Sequence, residues 1–352
     1  MPKETMTSLE RWQSVLTRRK PDRVPMDYWA TEEATRKLMD HLKCSDTQQV
    51  FERLHIDALV TVSPRYVGPP IPEDRDVFGL RFETVNYGNG SYRECVEHPL
   101  SGFSSVEEIE RQYRWPNPDW YDYSVIPSQI ENMQTRPVRG GGSEPFLLYQ
   151  RLRGQEQAMM DLLLNPEIVR HCLKKLFDLA YENTRRIYEV IPGRVLITYV
   201  AEDMGSQENL MFSPVQIREF LIPGMKRMID LAHSAGAFVF HHNDGAIRSI
   251  IPNMIEAGID MLNPIQWRCK GMERERLKID FGDRLIFHGG VDNQQTLPFG
   301  SVSDVQNEVA DNLRILGRDG GYILAPCHNI QTVSPPENIV ALYETGYELG
   351  WM

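Results

Sequence analysis

The sequence predicts an α/β protein, a (β/α)8 TIM barrel, and three observations carry that prediction. Short β-branched runs alternate with long amphipathic stretches through the second half of the chain, five times in succession, which is the pattern of a parallel sheet with outer helices. The helix ends in that half carry matching start and stop residues. The first half shows the same alternation around an interruption of about 80 residues, so the total approaches eight units. A doubly wound open sheet is the runner-up and would want a glycine-rich phosphate turn after an early strand. Residues 139–145 (RGGGSEP) are glycine-rich but lack the spacing of either phosphate-binding motif.

The elements follow in order. Residues 23–29 and 57–63 read as the first two strands, with helix between them. Segment 64–143 then breaks the alternation with prolines, glycines and aromatics, and holds a hairpin around 81–96 turning at Gly88-Asn89-Gly90. It reads as an insertion near the barrel mouth, between the second and third strands, rather than as an independent domain. Residues 138–152 return to the barrel, and 165–190 form a long helix. Strands at 195–200, 237–241, 260–264, 284–290 and 321–326 precede helices at 214–234, 246–257, 271–279, 302–316 and 335–348. Ser213-Pro214 places a capping serine before a proline in the first turn. The glycines of HSAGA (233–237) and EAGID (256–260) end helices just before the next strand.

Composition bounds the function. Length alone suggests two domains at about 150 residues each, but one barrel of 352 residues with an insertion accommodates it. Lys plus Arg total 38 against 49 Asp plus Glu, a formal charge of −11, which argues against a nucleic-acid-binding face. The chain has no apolar run of about 18 residues, hence no expected membrane span, and its start lacks an apolar leader core. Five scattered cysteines, an odd number with no CxxC pair, fit a reducing cytoplasm rather than a disulfide framework.

Reacting groups of such a barrel sit just beyond the C-terminal ends of its strands. Those ends carry Glu202 and Asp203, then His241-His242-Asn243-Asp244-Gly245, then Asn263 and Gln266, then His288 and Asp292, then Cys327, His328 and Asn329. Four of the nine histidines are among them. His242 and Asp244 form a His-x-Asp pair, and a third metal ligand comes from Cys327 or His328; three ligands and one open position is the layout of a catalytic zinc site. The bland alternative is a hydrogen-bonded pair that positions the loop. Glu202 and Asp203 are candidate acid/base groups, Glu202 ranking ahead as an extra metal ligand, or else helix caps. Asp292 would contact substrate or a ligating histidine, or cap the turn after Gly289-Gly290. His241, Asn263, Gln266, His288 and Asn329 are expected around a cofactor, with His288 more readily a satisfied strand-end histidine than a ligand. Tyr28, Trp29, Tyr66 and Tyr199 are candidates to line an apolar or aromatic pocket.

Residues 242–247 (HNDGAI) through 256–266 (EAGIDMLNPIQ), 288–292 (HGGVD), 324–331 (LAPCHNIQ), 202–207 (EDMGSQ) and 22–27 (DRVPMD) together resemble the uroporphyrinogen decarboxylase superfamily. The resemblance covers nearly the whole chain, is strongest over 195–340, and implies a (β/α)8 barrel. Its members either decarboxylate uroporphyrinogen without a cofactor or transfer methyl groups, with zinc, between a corrinoid protein and an acceptor. True decarboxylases carry an arginine-rich RQAGRY segment; residues 26–32 here read MDYWATE, a poor receiver for a polyanionic tetrapyrrole. The methyltransferases bind zinc through His-x-Cys and a later Cys. By position His242 matches the histidine, Asp244 replaces the first cysteine, and His328 falls at the later one with Cys327 beside it. The resemblance therefore implies one Zn²⁺ in a harder, more Lewis-acidic site, suited to activating a methyl-ether oxygen or bound water. The expected activity is corrinoid-dependent methyl transfer rather than haem synthesis, on a small methylated compound such as a methyl ether, by a monomer or homodimer with a corrinoid-protein partner. The alternatives are a decarboxylase, a non-catalytic corrinoid- or tetrapyrrole-binding relative, and an Fe(II) oxygenase using the same donors, which the strand–helix alternation disfavours.

Overall fold

The computed structural model describes residues 3–86 and 91–352. Seven parallel strands form one sheet: β1 (Val60–Val62), β2 (Val138–Ser143), β3 (Ile197–Val200), β4 (Phe238–His242), β5 (Met261–Asn263), β6 (Ile286–Val291) and β7 (Tyr322–Pro326), hydrogen-bonded in that order. Helices Pro166–Val190, Ile222–Ser234, Ile251–Ala257, Arg274–Phe281, Val302–Ile315 and Pro336–Leu349 follow β2 to β7 in turn. This is the α/β alternation expected, in a curled sheet of the barrel kind.

The expected strand over 23–29 is reduced to isolated bridges, Met26 with Leu324 and Ala30 with Ile330 among them. Pro25 has no N–H to give a ladder, and the Met26 N–H goes to the Asp57 carboxylate at 3.1 Å. The segment still spans the gap between the sheet edges. Asp27 N donates to Leu324 O at 2.9 Å, Leu324 N to Pro25 O at 2.9 Å, and Asp57 N to Met26 O at 2.7 Å.

Between β1 and β2 lies the antiparallel hairpin Arg81–Asn86 with Ser91–Glu97; its expected turn at Gly88-Asn89-Gly90 falls outside the described residues. The helix expected over 214–234 is interrupted by a π-helical turn at Ile217–Leu221. Pro223 lacks the N–H that would continue the regular ladder, and the helix widens by one residue just before it.

Two cores result. The larger lies between sheet and helices. The smaller fills the inside of the sheet with Leu196, Ile197, Phe240, Met261, Ile286 and Ile323 around Trp12, Val15 and Leu16. These last three come from a helix over Ser8–Leu16, opened by a Thr7/Glu10 capping box, which plugs one end of the sheet interior. Its Trp12 Nε1 donates to Asp57 O at 2.9 Å. Arg11 and Arg23 both pair with the buried Asp57 carboxylate, at 2.5 and 2.8 Å. Among the described residues no helix is long and apolar enough to cross a membrane, and all five cysteines are free.

Candidate metal site

β4 alternates its side chains across the sheet, so its two terminal histidines have different surroundings. His241 Nδ1 donates to Val200 O at 2.7 Å, while its Nε2 faces Asn243 Nδ2 at 3.3 Å. Burial pushes its imidazole down to about 4, so it is neutral, with both ring nitrogens committed internally rather than offered to a cofactor. His242 lies on the other side, among the rings of Trp29, Tyr199 and His328 at 5.8–5.9 Å between centroids.

The His242 Nδ1–H donates to Asn263 Oδ1 at 2.6 Å. Asn263 Nδ2 donates in turn to His288 Nδ1 at 2.8 Å, and His288 Nε2–H to Asp27 Oδ2 at 3.0 Å. Trp29 Nε1 and the Tyr28 backbone N–H also donate to the Asp27 carboxylate. Every polar atom in this buried chain is partnered, and its far end leaves one lone pair over: His242 Nε2. That is how an outer partner fixes the tautomer and aim of a ligating histidine. Asn263 and His288 thus orient His242 from behind. Both ring nitrogens of His288 are taken up within this chain of bonds.

Facing His242 Nε2 are carboxylate oxygens of Asp203 at 3.7 Å and Asp244 at 3.8 Å. Asp203 Oδ1 also accepts from Asp244 N at 3.0 Å. Asp244 Oδ1 is buried with no hydrogen-bond partner. Its loop is held by Gln266, whose Oε1 accepts from Gly245 N at 2.7 Å. Gly245 has φ +91°, and a Cβ there would stand 2.5 Å from Ser206 O, so only glycine allows this close approach. Gln266 therefore shapes the loop and does not point to a cofactor. Ligand atoms of His242, Asp244 and His328 all lie within 4.8 Å of one another. An orphaned carboxylate oxygen, a free imidazole nitrogen and a second imidazole form a donor set that fits a divalent cation such as zinc.

Cys327 is not part of that group. Its thiol donates to Ile265 O at 3.3 Å, and burial pushes its pKa well up, as for an inert structural thiol. Of the two neighbours at the end of β7, it is His328 that meets His242. Glu202 also departs from expectation: both its oxygens accept from Phe146 N, at 2.9 and 3.1 Å, so it caps the helix Pro145–Arg153, and burial pushes its pKa well up. Asp203, not Glu202, is the carboxylate beside His242. Asp292 accepts from the backbone N–H groups of Gln294, Gln295 and Thr296 and pairs with Arg268 at 2.7 Å, which gives it to the turn. Asn329 lines a cavity of about 510 Å³ with Asp27, Trp29, Arg139 and Tyr199 among its walls.

One member of the site was missed from sequence: Glu144. Burial, then the neighbouring Asp203, push its carboxyl up to about 7. It follows the last residue of β2, so the rule that strand ends carry chemistry would have found it. Burial also raises Asp244, opposed by His242. Buried carboxyl groups whose charged form is disfavoured are what a bound cation would relieve.

A family model described as uroporphyrinogen decarboxylase (URO-D) matches residues 127–349. No curated protein matches the chain in a sequence search. Among solved structures, a methyltransferase from Methanosarcina mazei superposes with a TM-score of 0.67 at 18% identity, covering 97% of this chain and 99% of that one; the two share a fold over their whole lengths. A D-psicose 3-epimerase (TM-score 0.34, 11% identity, 64% of this chain and 80% of that one) and a GH113 β-1,4-mannanase (0.36, 8%, 92% and 98%) are more remote.

Proposed function

This chain belongs to the uroporphyrinogen decarboxylase family, and from that premise we propose that it is a zinc-dependent methyltransferase that works with a corrinoid protein to demethylate a small methylated compound. The observation that carries the reading is the buried, unpartnered Asp244 Oδ1 set against His242 and His328. The methyltransferase activity named for the Methanosarcina mazei structure agrees with it. In this reading His242, Asp244 and His328 hold the metal, and Cys327 does not.

Bound zinc supplies Lewis acidity at the substrate heteroatom that loses the methyl group. The protein supplies the rest. Asn263, backed by His288 and Asp27, keeps the His242 proton on Nδ1 so that Nε2 stays available. Glu144, protonated up to about 7, gives its proton to the departing oxygen, a role for which its pKa is matched to neutral pH. The aromatic rings of Trp29 and Tyr199 keep water from His242. Residues 26–32 hold no arginine, which is why a polycarboxylate tetrapyrrole is not the substrate we propose.

Metal analysis of purified protein tests this reading. Wild type and Cys327→Ala should each hold one zinc per chain, and His242→Ala and His328→Ala should lose it. Wild type without stoichiometric metal, or loss of zinc in Cys327→Ala alone, would sink the assignment.

A further inference from the structure

The cavity beside the metal site contains a cation that the mechanism above does not use. Arg139 projects from β2 into the wall of the 510 Å³ cavity. Among the described residues Arg139 makes no ion pair and no side-chain hydrogen bond. Its guanidinium carbon stands 5.7 Å from the centroid of the Tyr199 ring. The carboxylate in the same cavity, Asp27, is already taken by His288, Trp29 and the Tyr28 backbone. A half-buried guanidinium with five free donors is poorly solvated and seeks a planar anion.

Tyr199 links this cation to the chemistry. Its ring stacks on His242 at 5.9 Å between centroids and 27° between planes, and it also meets Arg139. One tyrosine ring therefore separates Arg139 from His242. Tyr28, Trp29 and Phe51 add further aromatic wall.

Resting on the proposed methyl-transfer reading, we infer that Arg139 is a substrate-anchoring residue and that the substrate is a small methylated carboxylate with a flat apolar body. The carboxylate docks on the Arg139 guanidinium, the body lies along Tyr199 and Trp29, and the methylated end reaches His242. One free arginine matches one carboxylate, which sets this cavity apart from a site for a polyanion.

The test uses the full chain and two probes of one shape, benzoate and its neutral counterpart benzamide, titrated calorimetrically into metal-loaded and chelator-treated protein. Benzoate should bind more tightly than benzamide in both forms. Arg139→Met should lose that preference by about 10-fold or more, the value of a charge-assisted pair, with Arg139→Lys restoring part of it and zinc content unchanged in both variants. Equal binding of the two probes by wild type, no binding of benzoate, or a preference that survives in Arg139→Met would overturn the inference. If Arg139→Met does not fold, the ratio in chelator-treated wild type decides, because no metal is then present to attract the carboxylate. Zinc bound without a benzoate preference refutes the anchor alone; a preference without stoichiometric zinc refutes the metal reading alone.

Discussion

Replacing Asn263 with alanine cuts the buried chain from Asp27 to His242 in the middle. His242 Nδ1–H loses its 2.6 Å acceptor and His288 Nδ1 its 2.8 Å donor. Two buried polar groups left without partners cost about 1–3 kcal/mol each in stability. A ligating histidine that loses its outer partner typically costs about 10–100-fold in metal affinity, which is roughly 1.4–2.7 kcal/mol. The two effects are separable. Thermal unfolding of metal-free protein reads the first, and competition for zinc against a chromophoric chelator reads the second. Asn263→Asp restores the acceptor for His242 and should recover most of the zinc affinity even if stability stays low. The reasoning fails if Asn263→Ala binds zinc within about twofold of wild type, or if Asn263→Asp binds it no better than the alanine variant.

Two further outcomes follow from the same geometry. Glu144 rises from its ordinary 4.5 to about 7 on folding, so between those values the folded chain keeps a proton that the unfolded chain has released. This contribution to stability falls as pH rises through that window; metal-free Glu144→Gln should therefore gain melting temperature relative to wild type between about pH 5 and about pH 8, and a difference that stays flat would count against the assignment. Asp57→Ala strips the shared carboxylate from two buried guanidinium groups and should cost about 3–5 kcal/mol in urea unfolding; a loss under about 1 kcal/mol would mean that Glu4 and Asp22 suffice to hold Arg11 and Arg23.

The second half of the fold was legible because its signals are local: β-branched runs, serine–proline starts and glycine stops each depend on a few neighbouring residues. The Thr7-to-Glu10 capping box was equally local, yet nothing near it in sequence shows that Trp12 enters the sheet interior. His242, Asp244 and His328 were legible as strand-end residues of metal-binding type. What sequence could not decide was direction. Cys327 and His328 are adjacent, and so are Glu202 and Asp203, and only the facing of each side chain across its strand separates a ligand from a buried thiol, or a site carboxylate from a helix cap. The reach of Asp27 to His288, across 261 positions, is a tertiary contact with no local trace.

The segment that joins the two edges of the sheet also sets the order in which the protein can mature. Residues 25–27 bond both to Asp57 and to Leu324, so their seat closes only once β7 has been made. Until then Asp27 has no closed seat, His288 has no terminal acceptor, and His328 has not been made. A nascent or prematurely terminated chain therefore presents His242 and Asp244 without their third companion and with an open sheet edge, a form open to self-association. A cation held by all three residues would therefore report that residues 25–27 and β7 have closed on each other.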